Sequence, residues 1–474
     1  MVSAFTAGAA IMSVELAAAR MLSPGFGSGL SVWGALIGVI MGALSLGYYL
    51  GGKLADEKNE ISELYKAITY AAILVALLTV YGPPTVGLLS FTGLVVGPLI
   101  ASILLFLPPL MLLSMTSPMV IKFLTKSLGN VGYRSGSVYA ISTVGSIAGT
   151  FATAFVLLPM LGTKNTLLLN ALVLFAFGAY GVSQRWNTLM ILFFAPVFLA
   201  GPLINEAVIY EGESQYNKIT VKDVGDMRVL GLNWEYFFIQ SKINKSGIIT
   251  NSYFDYMSLG PLLNDAQDSL WLGMGAGACI RQLRYFYPDL GVDAVEIDPK
   301  VVEVAKRYFY IEEDDRLSVY VADGRMFLRE AKQYDLIYLD MFSGADIPAH
   351  LATKEFYELT DEHLTSDGVL MMNVLSMKDN HIVVNALSDT LLEVYPSVFV
   401  SDIGGNTIVV ATKQAHELET LKNRLSKNRE PMLKKTVQVF SDGLIRHSKS
   451  GDNILTDDRS NIGELTFQLM RDSR

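Results

Sequence analysis

The chain has 474 residues, 51% of them hydrophobic, and 37 Lys and Arg against 46 Asp and Glu give a net charge of −9. The acidic balance argues against a nucleic-acid surface, and a single cysteine, Cys279, excludes an internal disulfide framework. The apolar content is too high for an ordinary soluble protein of this size, and it is concentrated in residues 1–205, while 206–474 carries most of the charge.

A helix needs about 20 apolar residues to cross a bilayer. Seven spans are expected, at 4–22, 31–52, 64–82, 96–116, 136–160, 165–183 and 187–204. The apolar stretch 84–98, "PTVGLLSFTGLVVGP", is short and flanked by prolines, and reads as re-entrant, interfacial or part of an eighth span. No cleaved signal peptide is expected, because a basic n-region is missing and the apolar character continues through further segments. Glu15 and Arg20 lie in or near the first span, where ionisable groups face an interior and pair, either structurally or around a polar pocket. Lys53, Lys58 and Lys66 mark one link as cytoplasmic, and Lys122, Lys126 and Arg134 mark another. With seven spans this bias leaves the C-terminal domain outside, whereas the chemistry below places it in the cytoplasm.

Residues 206–260 read as a small β-unit. "SQYNKITVKDVGDMRVLGLNWEYFFIQS" alternates β-branched and aromatic residues around a "VGD" turn. From 268 the pattern becomes strand, glycine turn, helix, strand: "DSLWLGMGAGACIRQLRYFYPDLGVDAVEIDPK". Gly273, Gly275 and Gly277 let backbone approach a ligand, and the helix N-terminus behind them offers free N–H groups. About twenty residues on, "VDAVEID" brings Glu296 and Asp298 to a strand end, where an acid can take both hydroxyls of a ribose. "LSVYVADGRMFL" ends a third strand at Asp323, and "YDLIYLDMF" a fourth at Asp340. One such Asp reads as a helix cap; several in register after a glycine turn read as a ligand site. Carboxylates in place of Lys or Arg suit a ribose, an adenine and a cationic centre, as in a sulfonium nucleoside.

Here the chain resembles the spermidine synthase (aminopropyltransferase) family, and more closely its membrane-fused branch. The soluble likeness covers about 208–412, through "QS" at 240–241, "SYFDYMSLGPL", the glycine turn, "VEID", "ADGRMFL" and "YDLIYLDMFSGADIPAHLATKEFY". "VELAAARMLSPGFGSGL" and "NILTDDRS" resemble the fused branch. The resemblance implies that Glu296 holds the ribose, that Asp323 and Gly324 meet the adenine, and that Gln240 and Tyr253 line the channel. It makes Asp340 the catalytic base, and it implies decarboxylated S-adenosylmethionine as co-substrate and a homodimer. Asp346 and His350 follow Asp340 on the acceptor side and are candidate substrate-binding residues. The family pattern is broken at Ala276 and Ser343, where it carries Asp, and at Phe254, where it carries Gln; Asp346, Asp457 or Asp458 are candidate substitutes.

The expected architecture is an α-helical membrane bundle at 1–205, a small β-unit at 206–260 and a Rossmann-like, class I methyltransferase-type α/β domain at 261–474. The segment 414–436 reads as a charged helix, and the last forty residues as irregular except "LTDDRS", folded back over the site. His363, His381, His416 and His447 have no ligand spacing, so no metal is expected. Three functions stay open. The first is a membrane-bound aminopropyltransferase acting on a small amine or an amine-bearing lipid. The second is a methyltransferase using intact S-adenosylmethionine. The third is a transporter whose soluble domain senses a nucleoside or polyamine. The expected location is the cell membrane, with the soluble domain in the cytoplasm.

Overall fold

A computed structural model of the chain describes all residues except 28, 59, 94, 126–129, 182–207, 234–238, 342–346, 378–379 and 473–474. Contacts divide it into two compact units, Met1–Asn205 with Gly212–Tyr216, and Glu206–Glu211 with Asn217–Arg474.

The first unit is helical: α1 (Val2–Phe26), α2 (Leu30–Lys58), α3 (Ile61–Leu89), α4 (Val96–Leu105), α5 (Leu107–Ser114), α6 (Thr116–Leu124), α7 (Val131–Ala152) and α8 (Leu158–Tyr180). Five runs among the described residues are long and apolar enough to cross a membrane: Val2–Phe26, Ser31–Lys58, Ile61–Leu89, Leu107–Leu124 and Val131–Tyr180. Three differences from the expected spans follow from backbone chemistry. The segment 84–98 is no separate element: α3 continues through Pro83 and Pro84 to Leu89, and a 3-10 turn leads to α4. The expected span 96–116 is broken at Phe106, since Pro at the start of α5 has no N–H to continue the ladder, and α5 passes to α6 at Met115. The spans 136–160 and 165–183 form one run interrupted at Gly162, whose φ of 74° and ψ of 175° are not helical. The expected span 187–204 lies outside the described residues.

Small residues set the packing of α1 on α7. A Cβ on Gly145 would come within 2.9 Å of Phe5 Cα, and one on Gly149 within 2.7 Å of Ala9 Cα. Polar side chains add to this contact, because in an apolar surrounding they bond to one another. Ser13 Oγ accepts from Thr153 Oγ1 and from Asn170 Nδ2, both at 2.7 Å. Thr153 opens a π-helical turn, Thr153–Leu157, between α7 and α8. Within the same unit Arg20 Nη2 donates to Ser214 O at 2.8 Å, and Thr163 donates from its N and Oγ1 to Glu213.

The second unit holds two sheets. β1 (Val208–Glu213), β2 (Lys218–Val224), β3 (Met227–Leu232) and β4 (Ile239–Asn244) pair in that order, with Gly225 at φ 59° in the turn between β2 and β3. Ile219, Val221, Leu230, Leu232 and Ile243 point into one buried core that also contains Trp271, Ala294 and Tyr338 of the larger sheet. The small sheet therefore shares its core with the α/β fold.

The larger sheet has eight strands in the order β12-β10-β11-β9-β8-β5-β6-β7. They are β5 (Asp268–Leu272), β6 (Gly291–Glu296), β7 (Leu317–Val321), β8 (Tyr334–Leu339), β9 (Leu364–Leu375), β10 (Ser397–Asp402), β11 (Asn406–Thr412) and β12 (Leu444–Arg446). β7, β6, β5, β8 and β9 run parallel, and β11 lies antiparallel between β9 and β10. Both faces are covered. Trp271, Leu336 and Tyr338 enter one core while Leu270, Leu272, Ile337 and Leu339 enter the other, which explains the nearly unbroken apolar runs. Strand order reverses between β5 and β8, so a crevice opens at their carboxyl ends.

The last forty residues are more regular than expected. Lys434–Gly443 and Ile462–Asp472 are helices flanking β12. Phe440 packs into the first core, and Ile462, Leu465 and Leu469, at helical spacing, pack into the second.

Replacing Gly145 by Leu should force α1 from α7 and cost about 1–3 kcal/mol. A thermal melt of the detergent-purified chain reads this as a lowered Tm, and an unchanged Tm would show that the two helices do not approach so closely.

Candidate active site

The glycine turn leaves β5 at Leu272 and enters the helix Ala278–Phe286. Gly273, Gly275 and Gly277 all have positive φ, at 87°, 54° and 77°, a region where a side chain is strained. At Gly273 a side chain would also strike the carbonyl of Asp340. The turn is tied down on every side. Gly273 N and Met274 N both donate to Val295 O, at 3.0 and 3.1 Å. Ala276 N donates to Ser241 Oγ of β4 at 2.9 Å, and Gly275 N to Glu296 Oε2 at 2.9 Å.

Glu296, the last residue of β6, is 8% exposed. Its other oxygen accepts from Asp298 N at 3.1 Å. Burial pushes its carboxyl up to about 7, against the pull of the backbone N–H bonds. Asp298 turns elsewhere. It caps the helix Pro299–Tyr308 through Lys300 N and accepts from Asn217 Nδ2 at 3.0 Å, fully buried.

Asp323 also caps a helix, Gly324–Leu328, through Met326 N at 2.9 Å. Its second oxygen lies 3.2 Å from His350 Nε2. Arg325 ties this corner together: Nη1 donates to His350 O at 3.0 Å, and Nη1 and Nη2 meet the two oxygens of Asp457 at 2.7 Å each. Asp457 also accepts from Thr353 Oγ1 at 2.8 Å, and the Arg325 guanidinium holds its carboxyl below the usual range. "LTDDRS" thus reaches the Asp323 corner, but Asp457 is engaged by Arg325.

Asp340 follows β8 directly, and its N donates to Leu272 O at 3.0 Å. Oδ2 accepts from the Tyr253 hydroxyl and Oδ1 from Asn373 Nδ2, both at 3.0 Å. Burial pushes this carboxyl up to about 7, while the two hydrogen bonds oppose the rise. Phe254 packs against Tyr253 with ring centroids 4.0 Å apart and the rings tilted by 40°, and Cys279 Sγ contacts Phe254 O at 3.8 Å.

The structure therefore gathers Gly273, Gly275, Gly277, Glu296, Tyr253 and Asp340 around the ends of β5 and β8. Asp323, Gly324 and His350 form the adjoining corner, and the backbone of Gln240 runs beside Gly275. Asp346 and Ser343 lie outside the described residues. Sequence reading missed Ser241, Arg325, Asn373 and Asn406. A signal existed for Asn373, a polar residue inside the apolar strand "VLMMNVL".

The sheet order, with the glycine turn at its switch point, defines a Rossmann-like α/β domain. The Spermine/spermidine synthase domain matches residues 257–416. The chain is 37% identical over 189 residues to a probable polyamine aminopropyl transferase of Bifidobacterium longum (strain NCC 2705), covering 39% of this chain and 42% of that one. It is 33% identical over 209 residues to the polyamine aminopropyltransferase of Vibrio vulnificus (strain CMCP6), covering 40% of this chain and 67% of that protein. A solved spermidine synthase in complex with the transition state analogue AdoDATO is 20% identical, with a TM-score of 0.43 over 50% of this chain and 84% of that one. The chain belongs to the spermine/spermidine synthase family.

The site makes stability depend on pH. The folded Asp340 carboxyl, at about 7 against an ordinary 3.8, keeps a proton that the unfolded chain has lost between these values. Its cost is therefore full above pH 7 and fades as pH falls toward 4. Asp340→Asn keeps both neighbours bonded without a buried charge. It should raise stability by roughly 2–4 kcal/mol at pH 8, with the gain closing by about pH 4. Melts of both proteins across this range check it; a gain that does not vary with pH would contradict the assignment.

Proposed function

We propose that this chain is a membrane-anchored aminopropyltransferase. It moves the aminopropyl group of decarboxylated S-adenosylmethionine to an amine and releases methylthioadenosine. The observation that carries the reading is Asp340, a carboxylate held between Tyr253 and Asn373 at the end of β8, beside the glycine turn.

The residues present fit the donor. Glu296 accepts backbone N–H groups from Gly275 and Asp298 on its two oxygens, and this carboxylate holds the ribose hydroxyls. Asp323, oriented by His350, and Gly324 face the adenine, and Gln240 and Tyr253 line the channel. The acceptor arrives as an ammonium, which has no free electron pair. Asp340 takes one of its protons. The freed nitrogen pair then forms a bond to the carbon beside the sulfonium, and the C–S bond breaks with its electrons going to sulfur. A neutral thioether leaves, so the cradle needs only to place the partners and favour the cation.

The five apolar helices motivate anchoring in the cell membrane, with the α/β unit on the cytoplasmic side. They also make an amine-bearing lipid a reasonable acceptor beside a small soluble amine. A second reading, methyl transfer from intact S-adenosylmethionine, is favoured by Ala276. It stands in the turn where the resemblance expects an Asp, and it carries no charge to repel the carboxylate of the intact donor.

The full-length protein incubated with each donor form and a panel of amines should release methylthioadenosine, read by mass spectrometry. S-adenosylhomocysteine would establish the second reading instead. Asp340→Asn should lower turnover at least 100-fold and spare donor binding, whereas Glu296→Ala should weaken the donor about tenfold or more. Full activity in Asp340→Asn would remove it as the base. Asp457→Asn should weaken methylthioadenosine binding several-fold by calorimetry and change stability by less than about 1 kcal/mol, because the Asp457 side chain is 42% exposed. Unchanged affinity would detach the C-terminal segment from the site.

A further inference from the structure

Asp340 receives a hydrogen bond from a strand that the reaction itself does not involve. Asn373 lies on β9, next to β8, and is 3% exposed within the apolar run 369–374. A buried amide in such a run is costly unless bonded. Alone, the amide is ambiguous. Turned by half a rotation, it would present its carbonyl to the carboxylate, and attraction would become repulsion. A second amide is coupled to it: Asn406 Nδ2, from the first residue of β11, donates to Asn373 Oδ1 at 2.9 Å, and because an ionised carboxylate can only accept, the Asp340 anion selects this orientation of both amides. Only the Asn373 N–H end is then left for Asp340 Oδ1, which it meets at 3.0 Å.

We propose that Asn373 and Asn406 form a two-amide relay that sets the direction and the proton affinity of Asp340. Asn373 is the positioning residue, and Asn406 acts through it. The inference rests on Asp340 being the base of the proposed transfer, and it names the groups that prepare that base.

The titratable neighbours leave the work to hydrogen bonds. Tyr253 faces Asp340 from the helix Tyr253–Met257, and Cys279 faces it from the helix Ala278–Phe286. Burial, reinforced by the Asp340 charge, pushes both well above their ordinary values, so both are neutral while Asp340 titrates. What favours the anion is one hydrogen bond to each oxygen, from Tyr253 and from Asn373. Tyr253 donates to one oxygen and Asn373, from β9, to the other, so the two bonds together fix the plane of the carboxylate. Loss of Asn373 removes a donor to the charged form, so the proton is held more tightly and the titration moves to higher pH.

The test uses the full-length protein in detergent. The Asp340 carboxyl band is isolated in the infrared as the difference between wild type and Asp340→Asn, and titrated. In Asn373→Leu the midpoint should rise by about one to two pH units. In Asn406→Leu it should move in the same direction by a smaller amount, and Asn373→Gln, which keeps an amide, should restore part of the shift. The acid limb of kcat/KM should move with the band, while methylthioadenosine affinity stays within about twofold. An unmoved midpoint in folded Asn373→Leu overturns the relay, even if the melting temperature falls. Should that variant fail to fold, an unmoved midpoint in Asn406→Leu does the same. A midpoint that moves in a protein making no methylthioadenosine supports the relay and sinks the transfer reading. Normal transfer with an unmoved midpoint does the reverse.

Discussion

The α/β unit depends on how closely the ends of β5 and β8 approach each other. Gly273 has no Cβ, and the carbonyl of Asp340 occupies the place where one would project. In return, Asp340 N bonds back to Leu272 O. The glycine turn and the Asp340 carboxylate are thus two sides of one backbone contact. A larger residue at 273 would separate them, and no rearrangement of side chains would bring them together again.

Around that contact the carboxylates divide into two kinds. Asp298 is consumed by structure: it starts a helix and holds Asn217, just before β2 of the small sheet. Glu296 and Asp340 are buried, and burial pushes both carboxyls up to about 7 against the pull of their hydrogen bonds. Asp323 stands between, capping a helix with one oxygen and meeting His350 with the other. Perturbed carboxyls gathered in a crevice are the physical mark of a functional site.

Sequence alone located the turn and the strand-end acids, because each sits in a local pattern of glycine, apolar run and acid, while Tyr253 came only from the family resemblance. It treated Asp298 and Asp323 as members of one set, since a cap and a ligand look alike in a string of letters. It did not reveal Asn373 and Asn406. Their meeting depends on β11 inserting beside β9, a strand order that no local pattern encodes. Arg325 was hidden for a similar reason, since its partner Asp457 lies 132 residues away. In the helical unit, composition found the apolar stretches, while their breaks at Phe106 and Gly162 follow from proline and glycine geometry.

The order of these parts along the chain has a consequence for synthesis. The apolar helices are made first, then the turn and Glu296, then Asp340. Asn373, Asn406 and Asp457 leave the ribosome afterwards. A nascent chain extended just past Asp340 holds the glycine turn and Glu296 while the Asp340 carboxylate still lacks its hydrogen bond from Asn373. The hydrogen-bond network around Asp340 therefore closes only once the later strands have docked.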